Sequence, residues 1–390
     1  MRSHWERACA AAVEATTLRR ELHRHPELSG KEAETLNRIA EALEAMGISY
    51  ERYPDGAGIT ASIGAGERCI GLRADIDALP VTEETGLDYA SEHVGVMHAC
   101  GHDVHTAVLL GVARMLKERE GELKGRVKCF FQPAEETSGG AEGMIRNGAM
   151  EGVEAVLALH VDPCIPVGTA SFLPGKVNAK VIDLNLRVIG EGCHGAHPEQ
   201  GVDAIVVAAQ MVTALQTVCS RQTAPTKPVV VTIGTINGGS KANIVAGEVR
   251  MKGTVRVLEE GLGESVKAQI RRICEGVAAA YGASVEVGLH DDNPALANDR
   301  DLTYAMADLA GKLLGKEKVI YLEEPSLGAD DFAFFSNLAP GCYFNIGTKA
   351  PGQTGQALHA PTFAPDEGCI PVGIALLTAA VSEFLEGRLC

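Results

Sequence analysis

The segment ERCIGLRADID, residues 67–77, predicts an apolar strand that ends in two carboxylates. Three other segments have the same apolar character: GITASIG (58–64), VKCFFQPAEE (127–136) and EAVLALHVD (154–162). A helical pattern from Thr106 to about Glu120 separates the 67–77 segment from the 127–136 segment. Apolar strands that alternate with helices predict an α/β fold, in which helices flank a mainly parallel sheet.

The pattern changes at KVIDLNLRVIG (180–190), where apolar and polar residues alternate as in a half-exposed strand. After residue 293 the α/β pattern returns. We therefore predict a larger discontinuous domain, residues 1–179 and 294–390, and an inserted domain, residues 180–293. Within the inserted domain the predicted elements follow the order βαββαβ of a ferredoxin-like sandwich: strand 180–190, a helix capped by Asp203, strands 228–236 and 247–258, a helix at about 264–281, and strand 283–291.

Two helix starts are predicted from capping residues. Ser29 and Glu32 have the S-x-x-E spacing of a capping box, so we expect a helix that begins there and ends at Gly47. Asp366 is expected to cap the final helix, which runs to about Leu385.

The composition argues against two classes of partner. The chain has 390 residues and a net charge of -16, which disfavours nucleic acid and anionic membranes as partners. No run reaches the roughly 20 apolar residues of a membrane span, and the start lacks the apolar region of a signal peptide. The 11 cysteines include no C-x-x-C pair, so we expect reduced thiols and a cytoplasmic protein.

Side chains that bind metals or protons occur where the predicted strands end. The carboxyl ends of strands in an α/β sheet meet at one edge, where ligands bind. Thiolate, imidazole and carboxylate together suit zinc, manganese or cobalt, whereas calcium and magnesium prefer oxygen ligands. The candidates are Asp75, Asp77, Cys100, His102, Glu135, Glu136, His160 and His359.

Cys100 and His102, in MHACGHDVHTA (97–107), allow three interpretations: core packing, a thiol nucleophile with its base, or part of a metal site. A thiolate can bridge two metals, and two metals can share one water. In the pair Glu135–Glu136, one carboxylate could bind metal while the other acts as a general base. A solvated surface is the alternative interpretation of that pair.

Several motifs together resemble the metal-dependent amidohydrolases of the aminoacylase/carboxypeptidase superfamily. The branch that resembles this chain includes hippurate hydrolases, N-acetyl-amino-acid deacetylases and auxin-conjugate hydrolases. The resemblance extends from residue 18 to the last helix. The motifs are RADIDALPV (73–81), MHACGHDVHTA, FFQPAEET (130–137), ALHV (158–161), GCHGAHPEQGVDAI (192–205), KANIVAGEVRMKGTVR (241–256) and LHAPTFAPDE (358–367).

The resemblance implies two divalent metal ions per subunit, manganese or zinc, with cobalt as a further candidate. Cys100 would bridge the two ions. His102 and His160 would complete the protein ligands of one ion, and Glu136 and His359 those of the other.

The resemblance also implies roles around the metals. Glu135 matches the general base, and Asp75 matches an acid that orients a ligand imidazole. The inserted domain matches a lid that also forms the interface of a homodimer. In it, His194 matches a histidine that stabilises the oxyanion in the partner's site, and Asn243 and Arg256 match substrate-binding positions.

Some assignments stay open at this point. His197 lies in the same loop as His194 and is the alternative for the oxyanion contact. His98 and His105 flank the metal motif and are either supporting groups or structural residues. Asp330–Asp331 stands where relatives often have a Glu-Asp pair.

The expected activity is hydrolysis of small N-acyl amino acids, such as N-acetyl or N-benzoyl amino acids, to a carboxylic acid and an amino acid. Two alternatives remain: a metallo-dipeptidase or aminopeptidase on the same scaffold, and a metal-binding homologue without catalytic activity.

Overall fold

The computed structural model describes residues 2–137, 139–259 and 261–389. Its helices are α1 (Arg2–Arg24), α2 (Ala33–Ala45), α3 (His102–Lys117), α4 (Gly140–Arg146), α5 (Ala204–Thr217), α6 (Leu262–Ala280), α7 (Arg300–Leu314), α8 (Phe332–Ser336) and α9 (Cys369–Leu385). Its strands are β1 (Ser49–Arg52), β2 (Ile59–Gly64), β3 (Cys69–Asp75), β4 (Arg126–Gln132), β5 (Ala155–Pro166), β6 (Ala170–Phe172), β7 (Gly175–Asn178), β8 (Lys180–Ile189), β9 (Val229–Gly238), β10 (Glu248–Val257), β11 (Ser284–Asp291), β12 (Leu296–Asn298), β13 (Val319–Tyr321) and β14 (Gly341–Lys349).

The chain forms two compact units. The larger unit comprises Met1–Val177, Ala297–Pro325 and Asp330–Cys390, and the smaller comprises Asn178–Leu296 and Ser326–Ala329.

The larger unit is built on a sheet with the strand order β1-β2-β4-β3-β5-β14-β6-β13. The central strands β4, β3, β5 and β14 are parallel to one another. Helices α3 and α9 pack on this sheet, and α1 packs on both of them. Every residue of β3 is buried, as expected for a strand covered on both faces. The predicted α/β class, with a mainly parallel sheet flanked by helices, is confirmed.

The smaller unit has an antiparallel sheet with the order β11-β8-β10-β9. Helices α5 and α6 supply apolar side chains to its core. Along β8, the alternate residues Ile182, Leu184, Leu186 and Val188 are buried. The chain order β8-α5-β9-β10-α6-β11 is the ferredoxin-like arrangement expected from the sequence.

Helix α5 of the smaller unit is strongly apolar although it is only partly buried. Asp203 caps it as predicted, because its carboxylate accepts hydrogen bonds from the N–H groups of Ile205 and Val206. By length and composition alone, the segment Ala204–Gln222 would suffice to cross a membrane, with a mean hydropathy of 1.3. One face of the helix packs in the unit's core, and Ile205 and Val206 remain exposed.

The helix starts differ from several predictions. The sequence patterns did not predict α1, and α3 begins at His102 instead of Thr106. Helix α9 begins at Cys369; the Asp366 carboxylate accepts a hydrogen bond from Gly368 N–H, outside the helix. The cap prediction for Asp366 is therefore wrong.

The predicted capping box is also wrong. Helix α2 begins at Ala33, and the side chains of Ser29 and Glu32 make no capping hydrogen bond to it. Instead, the Glu27 carboxylate accepts from the Thr35 N–H and hydroxyl, at 2.7 and 2.9 Å, and so satisfies a free N–H in the first turn of α2.

A candidate metal centre

Ligand atoms from four separated segments of the larger unit converge near the carboxyl ends of β3 and β4. The Cys100, His102 and His160 ligand atoms lie within 4.8 Å of one another, and so do those of Cys100, Glu136 and His359. Cys100 therefore belongs to both groups. The structure thus brings together all five residues that the resemblance implied as ligands.

Local structure explains how each group reaches this point. His102 is the first residue of α3, and the residue before it, Gly101, has a φ of 84° that glycine adopts readily. His160 lies in β5, and Glu136 follows the end of β4. His359 has a φ of 65°, which is unusual for a residue with a side chain, and its N–H donates to Ala99 O at 2.8 Å.

The polar atoms of the cluster lie close together, but not all of them have a hydrogen-bond partner. Cys100 Sγ lies 3.6 Å from His160 Nε2, and His359 Nε2 lies 3.3 Å from Glu136 Oε1. His102 Nε2 is buried, and among the residues that the structure describes it has no hydrogen-bond partner. A buried nitrogen without a partner is costly unless a ligand occupies its lone pair.

The histidine tautomers also fit metal binding. His102 Nδ1 donates to Asp77 Oδ1 at 3.0 Å, and His160 Nδ1 donates to Val161 O at 2.8 Å. In both rings Nε2 is the nitrogen that faces the cluster, where a bound cation would take its lone pair. Metal-binding histidines commonly hold their second nitrogen in this way, so the donor set fits a borderline divalent cation.

The pKa values of the metal-free protein show which ligand groups a bound cation would have to deprotonate. Burial raises the pKa of the Cys100 thiol and lowers the pKa of His160 to about 3. Burial also lowers the pKa of His102, but the charge of Asp75 and the hydrogen bond to Asp77 outweigh it and raise that pKa well above its usual value. Without a cation the buried thiol stays protonated, whereas a bound cation would favour the thiolate.

One predicted role requires correction. We expected Asp75 to orient a ligand imidazole, but Asp77 makes the hydrogen bond to His102 Nδ1. Asp75 accepts from His105 Nδ1 at 2.6 Å and from Arg73 at 2.7 Å. His105 Nε2 in turn accepts the N–H of Val161, so Asp75 and His105 support β5 next to His160.

Glu135 lies beside the cluster in a strongly acidic environment. Its carboxylate is within 4.8 Å of ligand atoms of His102 and Glu136, and also of Asp330 and Asp331. Burial and then the charges of Asp330 and Asp331 raise the pKa of Glu135 well above its usual value. A carboxyl group with a raised pKa is suited to general acid–base catalysis.

A buried arginine balances these acids. Arg73 is 2% exposed and donates to Asp75, Gln132 and Asp331 at 2.7, 2.8 and 2.7 Å. Burial raises the pKa of Asp331 to about 7 despite the Arg73 charge. Sequence reasoning assigned no role to Arg73 or Gln132. The available signal was a charged residue inside an apolar strand, which requires a buried partner.

The other predicted site residues lie in the smaller unit. His194 and Asn243 are exposed neighbours, since Gly195 N–H donates to Asn243 O at 2.9 Å. His194 Nδ1 accepts from Ala196 N–H, and His197 Nδ1 lies 3.6 Å from Glu199 Oε1. Arg256 is partly buried near the end of β10.

A thiolate shared by two ligand groups, with an extra carboxylate beside them, is the arrangement of a metal-dependent hydrolase. Residues 71–383 match the profile of Peptidase family M20/M25/M40. The chain belongs to this family, and it is a hydrolase that acts on amide bonds.

Relatives that match nearly the whole length of this chain support the family assignment. The chain is 41% identical to N-acetyl-L-cysteine deacetylase of Bacillus subtilis, over 95% of this chain and 88% of the relative. It is 37% identical to thermostable carboxypeptidase 1 of Saccharolobus solfataricus, over 91% of each. A crystal structure of the Bacillus subtilis YXEP protein, a dinuclear metal-binding peptidase from the M20 family, aligns with a TM-score of 0.84 at 34% identity, covering 97% of this chain and 99% of that one. The predicted resemblance is confirmed.

The role of Asp77 can be tested by metal affinity. Asp77→Asn should lower the affinity for zinc by about 10- to 100-fold, because the variant no longer holds His102 with a charged acceptor. Competition with a chromophoric chelator measures this affinity. Asp88→Asn removes the same charge at an exposed position and should bind zinc as the wild type does. Equal affinities for Asp77→Asn and the wild type would contradict the assignment.

Proposed function

We propose that the protein hydrolyses the amide bond of N-acyl amino acids, such as N-acetyl or N-benzoyl amino acids, and releases a carboxylic acid and an amino acid. The observation that carries this proposal is the sharing of Cys100 between two ligand groups, with Glu135 next to both. The deacetylase relative acts on an N-acetyl amino acid, which supports the substrate class.

Two divalent metal ions per subunit form part of the proposal. Cys100, His102 and His160 would hold one ion, and Cys100, Glu136 and His359 the other. The mixed donor set favours zinc, manganese or cobalt. Bound there, the ions would supply Lewis-acid polarisation of the amide carbonyl and a more acidic water.

The protein's own groups move the proton and hold the substrate. Glu135 takes the proton from the attacking water and delivers it to the leaving nitrogen, because its carboxylate lies beside both ligand groups. We assign to His194 the contact with the oxyanion. Asn243 and Arg256 bind the substrate, and the Arg256 guanidinium suits a bidentate contact with its carboxylate.

A peptidase activity is the second candidate. The carboxypeptidase relative and the peptidase nature of the YXEP protein favour it. Both reactions would use the same metal centre. They differ in the substrate: a peptidase accepts a substrate with a free α-amine, whereas the proposed enzyme requires an acylated one.

A panel of substrates separates these candidates. N-acetyl, N-benzoyl, indoleacetyl and diaminopimelate conjugates and unmodified dipeptides are assayed with manganese and with zinc, by detecting the released amine. We expect the N-acyl amino acids to give a kcat/KM at least about 100-fold above that of the dipeptides, a difference equivalent to ~2.7 kcal/mol. The reverse ratio identifies a peptidase. No turnover of any substrate by the metal-loaded protein identifies a homologue without catalytic activity.

The assignment of Glu135 as the general base can be tested by substitution. Glu135→Gln should keep the zinc affinity of the wild type and lower kcat by at least about 100-fold, because the amide cannot accept the water's proton. Glu142→Gln, an exposed change of the same kind on α4, should leave kcat unchanged. Near wild-type turnover by Glu135→Gln would show that another group is the base.

We also propose a cytoplasmic homodimer, formed through the smaller unit, with no nucleic acid or membrane partner. Strand β9 is the last strand of its sheet, and an unpaired edge can pair with a second chain. Ile236 on β9 is 52% exposed, and Ile205 and Val206 on α5 are also exposed. A second copy of the chain would cover these apolar side chains.

The dimer is tested by its mass in solution. Sedimentation should give about twice the 41.0 kDa of one chain for the wild type. Ile236→Glu should shift the mass to that of a monomer, because a charge at the interface opposes its burial. Leu338→Glu, at an exposed position of the larger unit, should remain dimeric. A monomeric wild type, or a dimeric Ile236→Glu, would refute this interface.

A further inference from the structure

The segment from Glu27 to Glu32 lies between two loops of the candidate metal centre. Leu28 pairs with Ala78 in a short parallel bridge, and Ala78 N–H donates to Glu27 O at 2.8 Å. The segment therefore runs alongside the loop that follows β3 and carries Asp77. Its polar side chains at Ser29 and Glu32 are not used to start α2, because Glu27 performs that task.

Ser29 contacts the carboxylate that supports two of the candidate ligands. Its hydroxyl donates to Asp77 Oδ2 at 2.7 Å. The same oxygen accepts the N–H of Glu136 at 3.0 Å, while Oδ1 accepts from His102. Asp77 is 1% exposed, so its carboxylate depends on protein groups for most of its hydrogen bonds. Ser29 thus fixes the rotation of a carboxylate that holds both a ligand imidazole and a ligand backbone.

Glu32 contacts the turn from Ala134 to Glu136 at its first residue. Its Oε1 accepts the N–H of Ala134 at 2.7 Å, and the residue is 4% exposed. Ala134 has a φ of 53°, in the left-handed region that alanine seldom occupies. Such a conformation persists only where surrounding contacts enforce it. The hydrogen bond that Ala134 N–H donates to Glu32 is one of these contacts, and Ala134 immediately precedes Glu135.

We propose that Ser29 and Glu32 are positioning residues for the metal centre, which hold the turn from Ala134 to Glu136 at both ends. Ser29 acts through Asp77 on His102 and Glu136, and Glu32 acts through Ala134 on Glu135. Neither side chain touches the ligand atoms themselves. The effect on turnover rests on the proposed function, whereas the effect on metal affinity does not.

The Ser29 hydroxyl is tested with Ser29→Ala and Ser29→Thr. Ser29→Ala should lower the zinc affinity by about 10-fold, the lower end of the range for groups that support metal ligands. Ser29→Thr keeps a hydroxyl and should restore the affinity to within about twofold of wild type. The melting temperature of the metal-free protein should be the same for both variants, which separates positioning from a general loss of stability.

The Glu32 carboxylate is tested with Glu32→Ala against Glu34→Ala, an exposed glutamate two residues away. Glu32→Ala should lower kcat by about 10- to 100-fold and leave KM within about twofold. The reason is that the change displaces the general base, Glu135, but leaves the substrate-binding residues in place. Glu34→Ala should match the wild type in both constants. If Glu32→Ala does not fold, the Ser29 pair still decides the proposal.

The proposal is overturned if Ser29→Ala binds zinc as tightly as the wild type, or if Ser29→Thr fails to restore a lost affinity. It is also overturned if the loss of affinity parallels a loss of stability in the metal-free protein. A wild type that binds zinc but cleaves no conjugate refutes the proposed function alone, and the affinities then decide the positioning roles. A wild type that binds none of zinc, manganese and cobalt refutes both.

Discussion

The parallel register of β3 with β4 and β5 is the constraint on which the candidate site depends. Asp75 is opposite Gln132, and Arg73 is opposite both Phe130 and Ala158, so β3 and β4 end at one edge of the sheet while β5 continues beside them. The chain beyond that edge then supplies Asp77, Glu135 and Glu136. Because β3 is fully buried, the core fixes this register and with it the points from which the loops that carry these carboxylates begin.

Burying so many acids together requires compensation, and the larger unit supplies it in two ways. Arg73 neutralises Asp75 and Asp331 through short hydrogen bonds from one guanidinium group. Burial, together with the negative charges that Arg73 does not balance, raises the pKa values of Glu135 and Asp331. A divalent cation would relieve the same excess, so the charge balance of the unit and its affinity for metal have a common origin.

The sequence predicted the fold class well because apolar strands and helices alternate clearly around β3. It predicted which residues converge, since the cysteine, histidine and glutamate motifs resemble a family with that arrangement. It assigned the supporting groups less well. Ser29 and Glu32 have the spacing of a capping box, but their hydrogen bonds are made to Asp77 and Ala134, distant in sequence. Spacing along the chain cannot distinguish a local from a tertiary hydrogen-bond partner.

The side chain of His359 is 52% exposed, whereas His102 is buried and His160 is 9% exposed. An ion held by Cys100, Glu136 and His359 would therefore meet solvent on one side, and an ion held by Cys100, His102 and His160 would be enclosed by protein. Exchange with ions in solution would be faster at the open position. The occupancy of that position would then follow the metals available in the surroundings, while the enclosed position would retain the ion acquired first.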